Sequence, residues 1–344
     1  MARLGLPEGI VAVARELAEE VLFSDAMRVD RLDVLPVALL DALAAVGLYG
    51  APAPADAGGL GLDLPEVSRA VEELAGGCLA AAFVLIQHFR LVMTLAAEGA
   101  PPALRDRWLA PACQGRIRGG IALTGLIPGP PQLRAEPAEA GWRLDGTAPW
   151  VTGWGLIDLV QVVARGPDDT VVTLIMDAAA RPGLTVTRQR LAAVDASVTV
   201  RLGFDGVVVP QERFVDQVPF DPAVNVQPAG LRINGSLALG VAGRCGRLLG
   251  PGPLDDEVTR CREGLDAALM AGPAAMAQAR AAAAELALRA TAALAVRDGA
   301  SAVTVDQHAQ RLAREAVFLL VFGSRPGIKS ALLQLLGAAA PAGR

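Results

Sequence analysis

The hydrophobic period of this chain changes twice along its length, and those changes limit the fold more than any other feature. Ile10, Val13, Ala14, Leu17 and Val21 recur at steps of three and four, and similar spacing continues to about Gly120. At Gly119 short apolar runs divided by turn residues take over, and after Asp221 the helical spacing returns. A helix buries a stripe of period 3.6 and a strand a face of period 2, so one uniform layer cannot hold all three stretches. The expectation is an α+β multidomain fold. An N-terminal α-helical domain is expected over residues 1–118, a central antiparallel β domain over 119–215, and a C-terminal helical bundle over 216–344. At 344 residues the chain is long enough for two or three packed units.

Within that frame the first helices are expected at 10–22, 35–46, 64–75, 79–98 and 103–112. Gly47 stops the second, and the prolines and glycines of 47–62 make a loop. Strands are expected at 117–124, 141–144, 149–151, 159–164, 170–176, 184–187 and 198–204. Gly146, Gly153, Gly166-Pro167-Asp168-Asp169 and Arg181-Pro182-Gly183 read as the turns between them. Further helices are expected at 230–249, 255–297 (which Gly272-Pro273 can interrupt), 304–322 and 328–336. Aromatic residues are only 4% against 53% hydrophobic, so Ala, Leu and Val must fill the core, with helices packed closely.

Several function classes are disfavoured. A net charge of -5 argues against nucleic acid. Cys78, Cys113, Cys245 and Cys261 are scattered without metal-type spacing and read as reduced thiols, and no metal site is expected. The N-terminus lacks the basic-then-apolar pattern of a signal peptide, so a cytoplasmic location is expected. The apolar run ending at Gln87-His88-Phe89-Arg90 is broken too early for membrane insertion to be expected. There is no P-loop, and no G-x-G-x-x-G opens a helix after a strand. His88 and His308, the only histidines, lie far apart and support neither a metal cluster nor a Ser-His-Asp site.

One ordered set of motifs remains. Gly47-Leu48-Tyr49-Gly50 and Gly58-Gly59-Leu60-Gly61 precede the third helix, and Ala122-Leu123-Thr124 enters the β region. Gly146-Thr147-Ala148-Pro149-Trp150-Val151-Thr152-Gly153 follows, and then Ile157-Asp158-Leu159-Val160-Gln161-Val162. The β region closes on Phe204-Asp205-Gly206-Val207-Val208-Val209-Pro210, and the next helix carries Arg232 and Gly240. In order and spacing, from about residue 35 to residue 250, the chain resembles the acyl-CoA dehydrogenases. The resemblance implies a flavoprotein oxidoreductase with FAD as cofactor, a small-molecule acyl thioester as substrate, and a homodimer or homotetramer. It implies that the Thr152 hydroxyl faces flavin N5, that Trp150 covers the ring, and that Leu123 and Thr124 meet its pyrimidine end. A flavin needs an apolar wall and a few fixed donors, which a strand end provides. Without the surrounding motifs, Trp150 reads as a core tryptophan and Thr152 as a turn residue. In a distant echo of the family's glycine turn, Val321-Phe322-Gly323-Ser324-Arg325-Pro326-Gly327, Arg325 stands either beside a cofactor phosphate or as an exposed turn arginine.

The departures are as informative. The family's catalytic glutamate lies in a Y-E-G-T loop, which this sequence lacks, or just before the arginine opening the helix after the β domain. The latter position is Leu231, which takes no proton. The serine offered to the pyrophosphate is replaced within Thr124-Gly125-Leu126-Ile127-Pro128-Gly129-Pro130-Pro131, and proline has no N–H to give. Gly250-Pro251-Gly252-Pro253 stands where an R-x-x-F-G element is usual. His88, on the helix that lines the family's acyl pocket, is either a substitute base or a hydrogen-bonded core histidine. Asp195 reads as a turn aspartate. Beside the dehydrogenase, two readings stay open: a flavin monooxygenase on the same scaffold, and a non-catalytic subunit forming a hetero-oligomer with an intact relative.

Overall fold

The computed structural model describes residues 9–221 and 228–339. A first rod consists of α1 (Ile10–Leu17), a π-helical turn and α2 (Ser24–Val29), followed by α3 (Val37–Ala45). α4 (Leu64–Gly77) begins at a reciprocal cap: Glu66 N–H donates to Asp63 Oδ1 at 2.8 Å, and Asp63 N–H to Glu66 Oε2 at 3.1 Å. α5 (Leu79–Ala96) and α6 (Pro102–Cys113) complete the helical layer. α5 alone among the described helices is long and apolar enough to cross a membrane, but 78% of it is buried inside the molecule. It is a core helix.

Eight strands form one sheet: β1 (Gly119–Ala122), β2 (Leu133–Ala138), β3 (Gly141–Val151), β4 (Leu159–Arg165), β5 (Thr170–Asp177), β6 (Leu184–Arg188), β7 (Val200–Pro210) and β8 (Phe214–Pro219). The order is β6-β7-β3-β2-β4-β5-β8, with β1 also on β4. Most pairs are antiparallel, as expected, and β1 and β2 run parallel to β4. β1 enters directly from the helical layer and not through a hairpin, so nothing forces it to reverse against β4. β2 and β8 were not expected, because Arg134-Ala135-Glu136-Pro137 and Asp216-Gln217-Val218-Pro219 carry polar and proline residues on exposed positions. Such residues hide the strand signal; they suit β8 at the sheet margin, and in β2, which lies between β3 and β4, they fall where pairing with β4 is limited to Arg134 opposite Arg165. β8 also carries the sheet past residue 215, to Pro219. Gly146 is not a turn: it sits at a register shift inside one continuous strand, at φ +122, where a Cβ would stand 2.1 Å from the Gln132 carbonyl oxygen.

The remaining helices are α7 (Pro228–Leu249), α8 (Pro253–Ala271), α9 (Pro273–Asp298), α10 (His308–Val321) and α11 (Pro326–Leu335). The break at Gly272-Pro273 is real, with Pro273 opening α9. α7 lies close against α4, and small residues make that possible. A Cβ at Gly240 would stand 2.3 Å from Glu72 O and 2.7 Å from Ala75 Cβ. Gly243, one turn on, would meet nothing within 4 Å. Gly240→Val should therefore lower stability by about 1–3 kcal/mol through overpacking, whereas Gly243→Ala should leave it level or raise it by up to about 1 kcal/mol. Thermal melts of the two variants check this; equal effects would mean that the helix crossing is not set by contact at Gly240.

Candidate functional site

The segments singled out in the sequence lie along β1: Thr152, after β3, stands beside its start, and the Leu123–Thr124 turn follows its end. Val151 on β3 pairs with Val200 on β7, which sets Thr152 opposite Thr199. Their hydroxyl oxygens are 3.1 Å apart, and Ser197 Oγ lies 3.4 Å from Thr199 Oγ1. All three residues are buried. The start of β1 reaches the same place, since a Cβ at Gly120 would stand 3.1 Å from the Thr152 carbonyl oxygen. After β1, Leu123 is half-buried and Thr124 buried at the head of a 3-10 turn. Arg165 holds that turn, with Nε donating to Gly125 O and Nη2 to Ile127 O, each at 3.3 Å. Trp150 is 64% exposed, so it is not the core tryptophan of the alternative reading, and the indole presents a large apolar face.

The turn carrying Ser197 and Thr199 is held in an uncommon backbone. Val194 and Val198 adopt φ +54 and +50, a left-handed conformation that β-branched residues avoid. Each costs on the order of 1–3 kcal/mol, so the turn persists only because its surroundings fix it. Leu35 N–H donates to Ala196 O at 2.8 Å, Gly153 N–H to Ser197 O at 2.9 Å and Trp154 N–H to Val198 O at 3.1 Å. Asp195 is the turn aspartate that the sequence suggested: its Oδ1 accepts from Leu191 N–H at 2.8 Å, and Arg188 and Arg190 pair with its Oδ2.

His88 is not available as a base. Gly119 N–H donates to its Nδ1 at 2.8 Å, so Nδ1 is the acceptor and Nε2 carries the proton given to Ala112 O at 3.1 Å. Burial, aided by the Arg118 charge, pushes its pKa down to about 3. Leu231, at the alternative position of the family's glutamate, is buried. The next residue, Arg232, is fully buried and pairs with Glu72 of α4 and Asp266 of α8, while Arg262 Nε donates to Glu72 Oε2 at 2.7 Å. Glu72 is therefore committed to two arginines. Arg325 is the residue before α11 and is far from the β1–β3 site in sequence. It is partly buried, burial lowers its pKa, and no hydrogen bond or ion pair engages its side chain among the described residues. A separate cleft of about 440 Å³ lies between α3 and the loops before β1 and β4, bordered by Asp41, Arg118 and Asp158. Leu123, Thr124, Trp150 and Thr152 do not line it.

Residues 8–116 match the family model described as Acyl-CoA dehydrogenase, N-terminal domain. Benzylmalonyl-CoA dehydrogenase of Aromatoleum aromaticum is 29% identical over 65% of this chain and 62% of its own length. Human mitochondrial short-chain specific acyl-CoA dehydrogenase is 24% identical over 68% of this chain and 59% of its own. The chain is thus similar to acyl-CoA dehydrogenases, through an N-terminal domain of that type at residues 8–116 and over about two thirds of its length. Its match spans about three fifths of the length of these two curated relatives. The fold agrees over a longer stretch. Butyryl-CoA dehydrogenase of Megasphaera elsdenii superposes over 95% of each chain with a TM-score of 0.79 at 20% identity. Glutaryl-CoA dehydrogenase of Mycobacterium smegmatis, solved in complex with FADH2, superposes over 97% of this chain and 95% of its own, with a TM-score of 0.77 at 19% identity.

For this chain the question is whether its residues fit a flavin. At the end of β3 they do: an uncovered indole and a buried threonine hydroxyl with a second hydroxyl behind it offer an apolar face and a polar contact, while the pinned Thr124 turn lies toward the far end of β4. The phosphate end is poorer, because Pro128 and Pro130 are exposed and bring no N–H. Sequence reading missed Ser197 and Thr199; the left-handed Val198 between them takes this stretch out of the extended conformation in which alternate residues share a face.

The two histidines give a pH test. His308 stacks on Phe23 and is also pushed down, to about 4, by burial and by Arg311 and Arg244. Both groups start from 6.5, so the unfolded chain binds more protons than the folded one below that pH. Their contribution to stability is complete above 6.5 and is lost as the pH falls toward 4 and then 3. In urea unfolding series, His88→Asn should reduce the slope of stability against pH by about 1.4 kcal/mol per pH unit in that window. An unaltered slope would contradict the buried neutral imidazole.

Proposed function

We propose that this chain is an FAD-dependent oxidoreductase of the acyl-CoA dehydrogenase type, acting on an acyl thioester. The observation that carries the proposal is the uncovered Trp150 indole at the same strand end as the buried Thr152 hydroxyl. The likeness to a glutaryl-CoA dehydrogenase solved with FADH2 supports it. FAD, when bound, supplies an acceptor for two electrons and a hydride. Trp150 would cover the ring, Thr152 would present its hydroxyl to N5, and Leu123 and Thr124 would meet the pyrimidine end. Arg325, with no counter-charge of its own among the described residues, would serve a cofactor phosphate. Trp150 would also limit access of water to that face. Assembly as a homo-oligomer is part of the proposal, supported by Val317 and Val321, four positions apart and exposed on α10.

A second reading follows from Leu231 and the engaged His88: a flavin-binding subunit whose partner supplies the base. One experiment separates the two. The purified chain is titrated with FAD, then exposed to acyl-CoA esters without oxygen. Uptake of FAD followed by bleaching supports the dehydrogenase, and uptake without bleaching supports the subunit. If no FAD is taken up, both readings fail. Trp150→Ala should weaken FAD binding roughly tenfold, or about 1.4 kcal/mol, through lost stacking. Fluorescence titration measures the change.

A further inference from the structure

We propose that Thr199, backed by Ser197, is a positioning residue that lets the Thr152 hydroxyl reverse its hydrogen-bond direction when the flavin changes redox state. The inference rests on the flavin reading above and deepens it. Three buried hydroxyls stand in a row, Thr152 to Thr199 at 3.1 Å and Thr199 to Ser197 at 3.4 Å. Each hydroxyl carries one hydrogen and can also accept, so the row can point either way without gaining or losing a proton. The backbone around it is fixed at a cost: Val194 and Val198, on either side of Ser197, are both left-handed. Main-chain bonds from Leu35, Gly153 and Trp154 hold the carbonyls of Ala196, Ser197 and Val198. A turn that merely joined two strands would not need two strained valines.

The chemistry that such a row suits is an atom that alternates between acceptor and donor. N5 of an oxidised flavin carries a lone pair, and two-electron reduction places a hydrogen on it. Toward the oxidised form, Thr152 donates its hydrogen outward and receives one from Thr199. Toward the reduced form, Thr152 accepts, so its own hydrogen must turn inward. Thr199 is then the acceptor, and Thr199 in turn donates to Ser197. Without the Thr199 oxygen, Thr152 keeps its partner in the oxidised state but holds an unmatched buried donor in the reduced state. An unmatched buried donor is expensive, so the reduced form should lose more than the oxidised form.

The test uses the full chain loaded with FAD, and reads the midpoint potential by anaerobic reductive titration against a reference dye. Thr199→Val keeps the side-chain shape and removes the hydroxyl. It should lower the two-electron midpoint by about 30 mV, a tenfold shift toward the oxidised form. FAD affinity in the oxidised state should change less than threefold. Thr199→Ser, which restores a hydroxyl, should return the potential to that of the parent. Ser197→Ala should move it in the same direction by less, and it carries the test if Thr199→Val does not fold. An unchanged or raised potential in Thr199→Val or Ser197→Ala, or no recovery in Thr199→Ser, overturns the proposal. A lower melting temperature of the apo chain with an unmoved potential would make the row a purely structural brace. A parent chain that takes up no FAD defeats the flavin reading itself, and this inference with it.

Discussion

The hydrogen bond from Gly119 N–H to His88 Nδ1, 2.8 Å long, fixes where the sheet sits on the helices. It joins the middle of α5 to the first residue of β1, while His88 Nε2 holds the end of α6 through Ala112 O. The glycines beside it allow the approach: a Cβ on Gly119 would stand 2.4 Å from Leu91 Cδ2, and one on Gly120 2.5 Å from Ile157 Cδ1. β1 is thus laid closely on the core helix, its bare glycine backbone against the Leu91 side chain. From there β1 sets β4 by parallel pairing, and the loop between β3 and β4 is drawn back over Val84 of α5. Thr152 takes its position from that loop. A residue that invites a catalytic reading is in this way a structural joint between the layer that carries the strands and the layer that supports them.

Charge is used in a similar way inside the helical layers, and arginine suits it better than lysine. A guanidinium can serve several acceptors in a plane, and Arg232 does so with Glu72, Asp266 and Ser236. Arg244 pairs with Glu19, donates to Gly76 O and lies over the Phe23 ring at 3.9 Å. Phe23 in turn stacks on His308, whose Nδ1 accepts from Arg311, and Arg311 pairs with the buried Glu315. Ion pairs of this kind add little net stability, because desolvation offsets their attraction. Their effect is on register: Arg232 and Arg244 tie helices distant in sequence at one height, whereas the Arg311–Glu315 pair lies within α10. That matters in a core poor in large interlocking side chains, where small residues would let the helices slide.

How far the sequence disclosed this arrangement depended on whether a residue's role was local. The entry to the sheet was legible because Gly119 and Gly120 end the helical period where β1 begins. The break at Gly272-Pro273 was legible for the same reason. Gly146 was misread because the pattern of a turn glycine and that of a bulge glycine are alike; only the pairing of β3 with β2 and β7 distinguishes them. β2 and β8 were hidden by polar and proline residues, which suit β8 at the sheet margin and the part of β2 that does not pair with β4. At the site, the resemblance drew attention to Trp150 and Thr152, which stand together at the end of β3, and to Thr124, which follows the end of β1. Thr199 was not legible, because its significance lies in a cross-strand pair forty-seven positions distant. His88 was ambiguous because its sequence neighbours say nothing of the peptide N–H that occupies it.

The two ends of the candidate flavin site have diverged unequally, and the backbone shows why that is physically tolerable. The ring end is made by strands β1, β3 and β7, whose positions are fixed by main-chain pairing and by the His88 joint. A substitution there disturbs the sheet as well as the ligand contact. The phosphate end is a loop over 127–132 with Ile127, Pro128, Gly129, Pro130 and Gln132 exposed, so its donors can be lost without loss of packing. In the proposed reading, affinity for FAD must then come chiefly from stacking and hydroxyl contacts at the ring, with Arg325 as a candidate for the negative charge. That balance favours a site that discriminates on the redox state of the ring more than on the nucleotide end. A paired row of buried hydroxyls is a device for that kind of discrimination, since its worth depends on whether the atom it faces gives or takes a hydrogen.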